Sequence, residues 1–439
     1  MGTMHEEDRP RQPLLDRPLG RGQAVLWWTL ASALFILVVV GQFGPTNHDA
    51  IEWDTPAWTL AHGQPSCSYR FGFQTEPPPL FPELVGGVEV TVHSLDRRLF
   101  AARPYPTVDC RQDEADLSTA ASLHDAALIG FLAWFVLLCG VVLVFRSDRR
   151  PPTIREAAGV LGLAVLPPVS AALTTSIHPE DLVAVGLCLA AVARSTRRRD
   201  VLVGVLFGLA ACSQQFALLA VVPIVVLAGW GERARVLAGA GAAASAVCLP
   251  FLITDPGGLL HAFSGSSATQ AGGATPTFVL EIHLHGVLLV VVSRGLPLLA
   301  AAIFTWGAGR RLGDRRWAVV PLLSVLAVCM TFRLLFEVEL FLWYFAAVAV
   351  LLLLVAAMDR SATPLWLVSW AAWNAVVVIC YSERSWDSFL QMSLVGLVSQ
   401  AIVVGWAFGL GVTVLWRTSN GRVGQTDEGK MAGVLLGLG

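Results

Sequence analysis

Residues 24–54 read AVLWWTLASALFILVVVGQFGPTNHDAIEWD. The run 24–44 is apolar and uncharged, and it matches the ~20 residues that a bilayer core demands. A secretory signal peptide has a shorter apolar core and a small-residue cleavage site, so this stretch reads as a full membrane span. Immediately beyond it stand Asp49, Glu52 and Asp54. Carboxylates at that depth are costly in hydrocarbon and must face water, protein or a substrate. The stretch is therefore read as the rim of a membrane-embedded site, and the rest of the chain as its frame.

Composition agrees with that reading. The 439-residue chain is 55% apolar and only 14% charged, too little polar surface for a soluble domain of this length. Apolar runs recur at 124–146, 156–175, 181–195, 200–213, 215–230, 234–253, 286–308, 317–334, 339–357, 364–381 and 392–416. The expected fold is an all-α polytopic membrane protein of about 12 transmembrane helices. Its parts are a tail at 1–23, one membrane domain at 24–416 with a large first loop at 45–122, and a second tail at 417–439. The runs 200–213 and 215–230 are short and meet at Ser213-Gln214-Gln215, as two short spans or one broken hairpin.

Arginine sets the sides. Segments 1–23, 146–155, 194–200, 231–235, 309–316, 358–361 and 417–439 carry 22 of the 30 basic residues. The positive-inside rule places them in the cytoplasm, with both termini, and puts the 45–122 loop outside a plasma membrane. On the outer side then collect Asp49, Glu52, Asp54, His178, Glu180, Asp181, Gln214, Gln215, Arg333 and Glu337. A purely structural bundle has no reason to keep its acids and histidines at one face.

Several classes of chemistry drop out. Lys430 is the only lysine, which excludes a Schiff-base or P-loop lysine in the membrane. No basic stripe with interleaved aromatics points to nucleic acid. Six cysteines (Cys139, Cys188, Cys212, Cys248, Cys329 and Cys380) lie in apolar runs as small packing residues. Cys67 and Cys110 fall in the large loop, either as a disulfide or as two thiols. His283 and His285 read as a solvated loop pair, and no metal site or cofactor is expected.

Thr55-Pro56 reads as a helix start, with Thr55 or Asp54 as N-cap, and Gly63 as its end. Asp54 thus has a structural role open to it, whereas Asp49 and Glu52 have none. A carboxylate beside a dry cavity suits a general base, since partial burial raises its pKa towards working pH. His178 and Asp181, three apart at a helix start, share one face. They could meet a sugar phosphate or hydroxyls, or serve only as the helix cap. Arg333 could pair with Glu337 four residues on, or hold a phosphate.

These elements, taken in order, resemble the polyprenyl-phosphate-dependent glycosyltransferases of the GT-C superfamily, especially the bacterial mannosyltransferase-like (DUF2029-type) group. The resemblance is carried by Asp49 after the first span, then Trp53, Gly63 and Pro65. Further along it rests on Glu76-Pro77-Pro78-Pro79, on His178-Pro179-Glu180-Asp181-Leu182, and on the Gly-rich hairpin from Gly204 to Pro223. It covers roughly residues 40–230. It implies Asp49 as catalytic base, with Asp54 beside it. Glu52, His178, Asp181, Gln214, Gln215 and Arg333 are then expected to bind substrate. The implied partners are membrane lipid, a polyprenyl-phosphate sugar and a glycan or glycolipid acceptor. The chain departs from the family in two places. Gln214 or Gln215 stands where the family carries a lysine, and 95–122 looks like an insertion. The rival readings are a lipid-linked-sugar flippase and an inactive scaffold.

Overall fold

The computed structural model describes residues 17–42, 123–147, 153–166, 178–257, 291–336 and 342–359, with short pieces around 80–87, 168–169, 259–260 and 402–416. The expectations for Asp49, Glu52, Asp54, Cys67, Cys110, the helix after Pro56, the His283–His285 pair, Glu337 and the run 364–381 lie outside the described residues.

Ten α-helices carry the described fold: α1 Arg21–Gln42, α2 Leu123–Ser147, α3 Ile154–Ala164, α4 Pro179–Ser195, α5 Val201–Ser213, α6 Ala217–Leu227, α7 Trp230–Thr254, α8 Leu296–Leu312, α9 Val319–Phe336 and α10 Ala346–Met358. Among the described residues there is no β-strand, only an isolated bridge between Pro18 and Thr153. Segments Ile129–Ser147, Trp230–Thr254 and Val319–Phe336 are each long and apolar enough to cross a bilayer. Helix α7, at 25 residues, is ~37 Å long.

Burial separates the helices into centre and rim. Every residue of α10 is buried, as are 14 of the 18 in α9 and 14 of the 17 in α4. A helix that is apolar on all sides belongs inside a bundle or a membrane. At the rim, α7 exposes Leu237, Leu249, Leu252 and Ile253, the last at 73%, and α8 exposes Leu299, Ile303 and Trp306. In water such a belt would be an aggregation surface, whereas lipid covers it at no cost.

Glycines permit the closest crossings. Helices α2 and α4 meet at Gly140 and Gly186, where a Cβ on Gly186 would stand 2.6 Å from the Val136 carbonyl oxygen. Helices α5 and α7 meet where Gly204 faces the Val236 carbonyl, Gly208 the Ala240 carbonyl and Gly239 the Val201 carbonyl, each too close for any side chain. Lipid gives helices no hydrophobic push towards one another, so this small-residue packing is what holds them.

The structure moves some boundaries. Helix α3 stops at Ala164, where the sequence reading carried it to 175. Pro167 and Pro168 follow at once, and a proline both lacks the N–H and clashes with the preceding turn. Its start is fixed by a capping box: the Thr153 N–H donates to Glu156 Oε2 at 2.8 Å, and the Glu156 N–H donates to Thr153 Oγ1 at 3.4 Å. Helix α4 begins at Pro179, two residues early. A π-turn at Val291–Gly295 leads directly into α8, and a 3₁₀ turn at Leu342–Phe345 leads directly into α10. At Ser213–Gln215 the chain folds as two short helices joined by a tight turn.

Candidate functional site

Consecutive helices reverse direction, so the ends of five elements meet at one pole of the bundle: the N-termini of α4, α6 and α10 and the C-termini of α5 and α9. The pole is tied together locally. Ser213 Oγ donates to the Glu180 carbonyl at 3.0 Å, which fixes the end of α5 to the start of α4. Gln214 then leaves the helix in extended conformation (φ −156, ψ 132). Its side-chain oxygen accepts the Gln215 N–H at 3.0 Å, and its backbone carbonyl accepts the Ala217 N–H at 3.1 Å, closing the turn into α6. With its oxygen so engaged, the Gln214 amide NH₂ is left to support the Asp181 carboxylate.

Pro179 occupies the first turn of α4, where its missing N–H costs nothing. His178 sits at the N-cap position without a side-chain capping bond. Its Nδ1 lies instead 2.7 Å from Glu180 Oε1. The pure cap reading of His178 therefore does not describe its side chain.

Glu180 and Asp181 follow, 3% and 2% exposed. The helix N-terminus favours anionic side chains there. The charged neighbours of Asp181 are Arg333, Glu180 and His178. Even so, Glu180 Oε2 and Asp181 Oδ1 are buried without a hydrogen-bond partner. A buried unsatisfied carboxylate oxygen costs free energy and calls for a proton, a water or a ligand hydroxyl.

Arg333 ends α9. Its guanidinium carbon stands 4.1 Å from the centre of the Tyr344 ring and 4.7 Å from that of Phe216. The two aromatics hold the cation in a fixed plane, with cation–π attraction on each. Among the described residues no three His, Cys, Asp or Glu side chains gather closely enough to hold a metal.

The structure thus brings together four residues singled out from sequence: His178, Asp181, Gln214 and Arg333. Gln215 lies in the same turn. Asp49, Glu52 and Asp54 are outside the described residues. Glu180 was placed on the outer side from sequence but given no role of its own. Two neighbours escaped the sequence reading, Phe216 and Tyr344, and only the fold shows which cation they flank.

Glu83 was missed altogether. It sits in the helical segment 83–87, within electrostatic reach of the close thiol pair Cys212 and Cys248, whose sulfurs are 3.8 Å apart. Burial pushes its carboxyl up to about 7.

Comparison with known proteins gives little beyond this. No protein-family model matches the chain, and no curated protein matches it. The crystal structure of ArnT from Cupriavidus metallidurans in the apo state aligns with 91% of this chain and 78% of its own, at 16% identity and a TM-score of 0.44. That likeness is low, and the functional reading stands on the polar pole itself.

Proposed function

We propose that the chain is an integral-membrane glycosyltransferase. It moves a sugar of the mannose or arabinose kind from a polyprenyl-phosphate donor to a lipid or glycan acceptor at the outer face of the plasma membrane. One observation carries the reading: two buried carboxylates with unmet oxygens, a histidine, a glutamine amide and a fixed arginine converge at one pole of an apolar bundle. Acceptor oxygens suit sugar hydroxyls, and a planar guanidinium suits a phosphate.

In this reading an acceptor hydroxyl attacks the anomeric carbon as Asp49 takes its proton. The bond from that carbon to the lipid-phosphate oxygen breaks, and the electron pair leaves with the phosphate. Such a single displacement inverts the anomeric configuration. Arg333 supports the charge developing on the leaving phosphate, which is the largest single contribution such a site can make. Asp181 and Glu180 orient the sugar through its hydroxyls, with His178 and Gln214 holding the two acids in place. A monophosphate leaving group requires no divalent metal.

The test is Asp49→Asn in the producing cell. The reading expects loss of one cell-envelope glycan at normal protein level. An unchanged envelope at normal protein level overturns it.

A further inference from the structure

The opposite pole holds a second charged site. A cleft of about 330 Å³ is lined by Arg197, Arg198, Arg199, Asp200, Glu232 and Arg235. It lies where α4 ends and where α5 and α7 begin. Four cations against two anions leave an excess of positive charge, and the start of each helix adds the positive end of its dipole.

The two acids are already fully engaged. Glu232 Oε1 takes Arg199 at 2.8 Å, and Glu232 Oε2 accepts the Gly229 N–H at 3.1 Å. Asp200 Oδ2 takes Arg194 at 2.6 Å, and Asp200 Oδ1 accepts the Val203 N–H at 3.3 Å. Those bonds, together with stacking of Arg199 on Trp317 at 4.4 Å, make a rigid floor. Arg198 and Arg235 are exposed and enter no ion pair among the described residues. Two exposed arginines lining one cleft form an anion fork.

Within two residues of the cleft lining in sequence, the exposed side chains turn apolar: Val201 and Leu202 on α5 and Leu237 on α7 are exposed, as is Trp230 at 84%. Tryptophan at a helix end is the residue of the membrane–water interface. Phosphate below and acyl chain beside is the shape of an anionic phospholipid.

We infer that this cleft binds a phosphate group, carried by an anionic membrane lipid whose acyl chains lie against Val201, Leu202 and Leu237. The site is separate from the sugar-transfer pole and does not depend on that reading. A juxtamembrane arginine contributes about as much to anionic-lipid binding as a factor of five, so removing two weakens it roughly thirtyfold.

The experiment uses the full chain in detergent micelles and native mass spectrometry. Phosphatidylglycerol, phosphatidylcholine and inorganic phosphate are titrated separately. The variants are Arg198→Gln with Arg235→Gln, each of these singly, and a charge-matched control, Arg310→Gln with Arg311→Gln, outside the cleft. Expected is retention of phosphatidylglycerol over phosphatidylcholine by the wild type, weakened roughly thirtyfold in R198Q/R235Q, by an intermediate factor in each single variant, and unchanged in the control. Retention of inorganic phosphate with the same variant dependence, and no preference for the lipid, leaves the anion fork standing but overturns the lipid as its source. Equal retention by R198Q/R235Q and wild type, or equal loss in the control, overturns the site.

Discussion

Replacing Arg333 by Gln separates two roles that one side chain holds. The guanidinium lies 4.1 Å from the Tyr344 ring centre and 4.7 Å from that of Phe216. Each contact is worth about 0.5–2 kcal/mol, the upper end where the pair is desolvated. Arg333 is only partly buried, so the pair together should contribute about 1–2 kcal/mol to stability. If Arg333 also supports a leaving phosphate, its removal should slow transfer about 10²–10³-fold, the effect of deleting one preorganised donor. Arg333→Lys keeps the charge but loses the plane, because an ammonium is a compact point charge. The lysine variant should therefore recover part of the rate while remaining less stable than wild type. The assays are thermal unfolding in detergent and sugar transfer from a labelled polyprenyl-phosphate donor. Full transfer by R333Q would refute the phosphate role, and unchanged unfolding would refute the stacking argument.

Two other perturbations follow from packing and charge. Gly204→Ala forces a methyl group into the Val236 carbonyl and should destabilise the α5–α7 crossing by about 1–3 kcal/mol. Gly241→Ala, two residues past Gly239 on α7 and with open space around it, should be neutral or stabilising by up to about 1 kcal/mol; unfolding of the two variants in parallel checks the contrast. Glu83 holds its proton up to about pH 7 in the folded chain, against an ordinary value of 4.5. Between those values the folded chain binds more protons than the unfolded one, so stability falls as pH rises through that window. Glu83→Gln should be more stable than wild type at about pH 8, by at most about 1 kcal/mol after solvent screening of a half-buried group, and indistinguishable near pH 4.5. A pH-independent difference in unfolding would count against the burial of Glu83.

The frame was legible because hydrocarbon imposes a coarse rule. A run such as 234–253 can only be a long helix, and the structure gives Trp230–Thr254. Boundaries shifted where local chemistry intervened, as at Pro167-Pro168 after α3. The pole was legible in a different way. Arginine placement put His178, Asp181, Gln214 and Arg333 on one side, and the reversals of the chain then brought them within reach of each other. What remained hidden was which distant side chains Arg333 meets; Glu337, four residues on, lies outside the described residues. The aromatics that flank Arg333 come from α6 and the turn before α10, more than a hundred residues away for Phe216, and nothing local announces such a meeting. The burial of Glu180 was hidden for the opposite reason: an acid in a first helical turn is so common that its 3% exposure alone sets it apart.

Sugar transfer by the purified chain, wild type against Asp181→Asn, bears most directly on whether the polar pole is an active site. Reconstituted into liposomes with a polyprenyl-phosphate mannose or arabinose donor, the wild type should release free polyprenyl phosphate and form a glycosylated acceptor. The variant should keep its fold and lose at least tenfold in kcat/KM, since a group that orients the reacting sugar acts on the transition state. Equal turnover by both proteins, with Asp181→Asn folded as the wild type, would contradict the account.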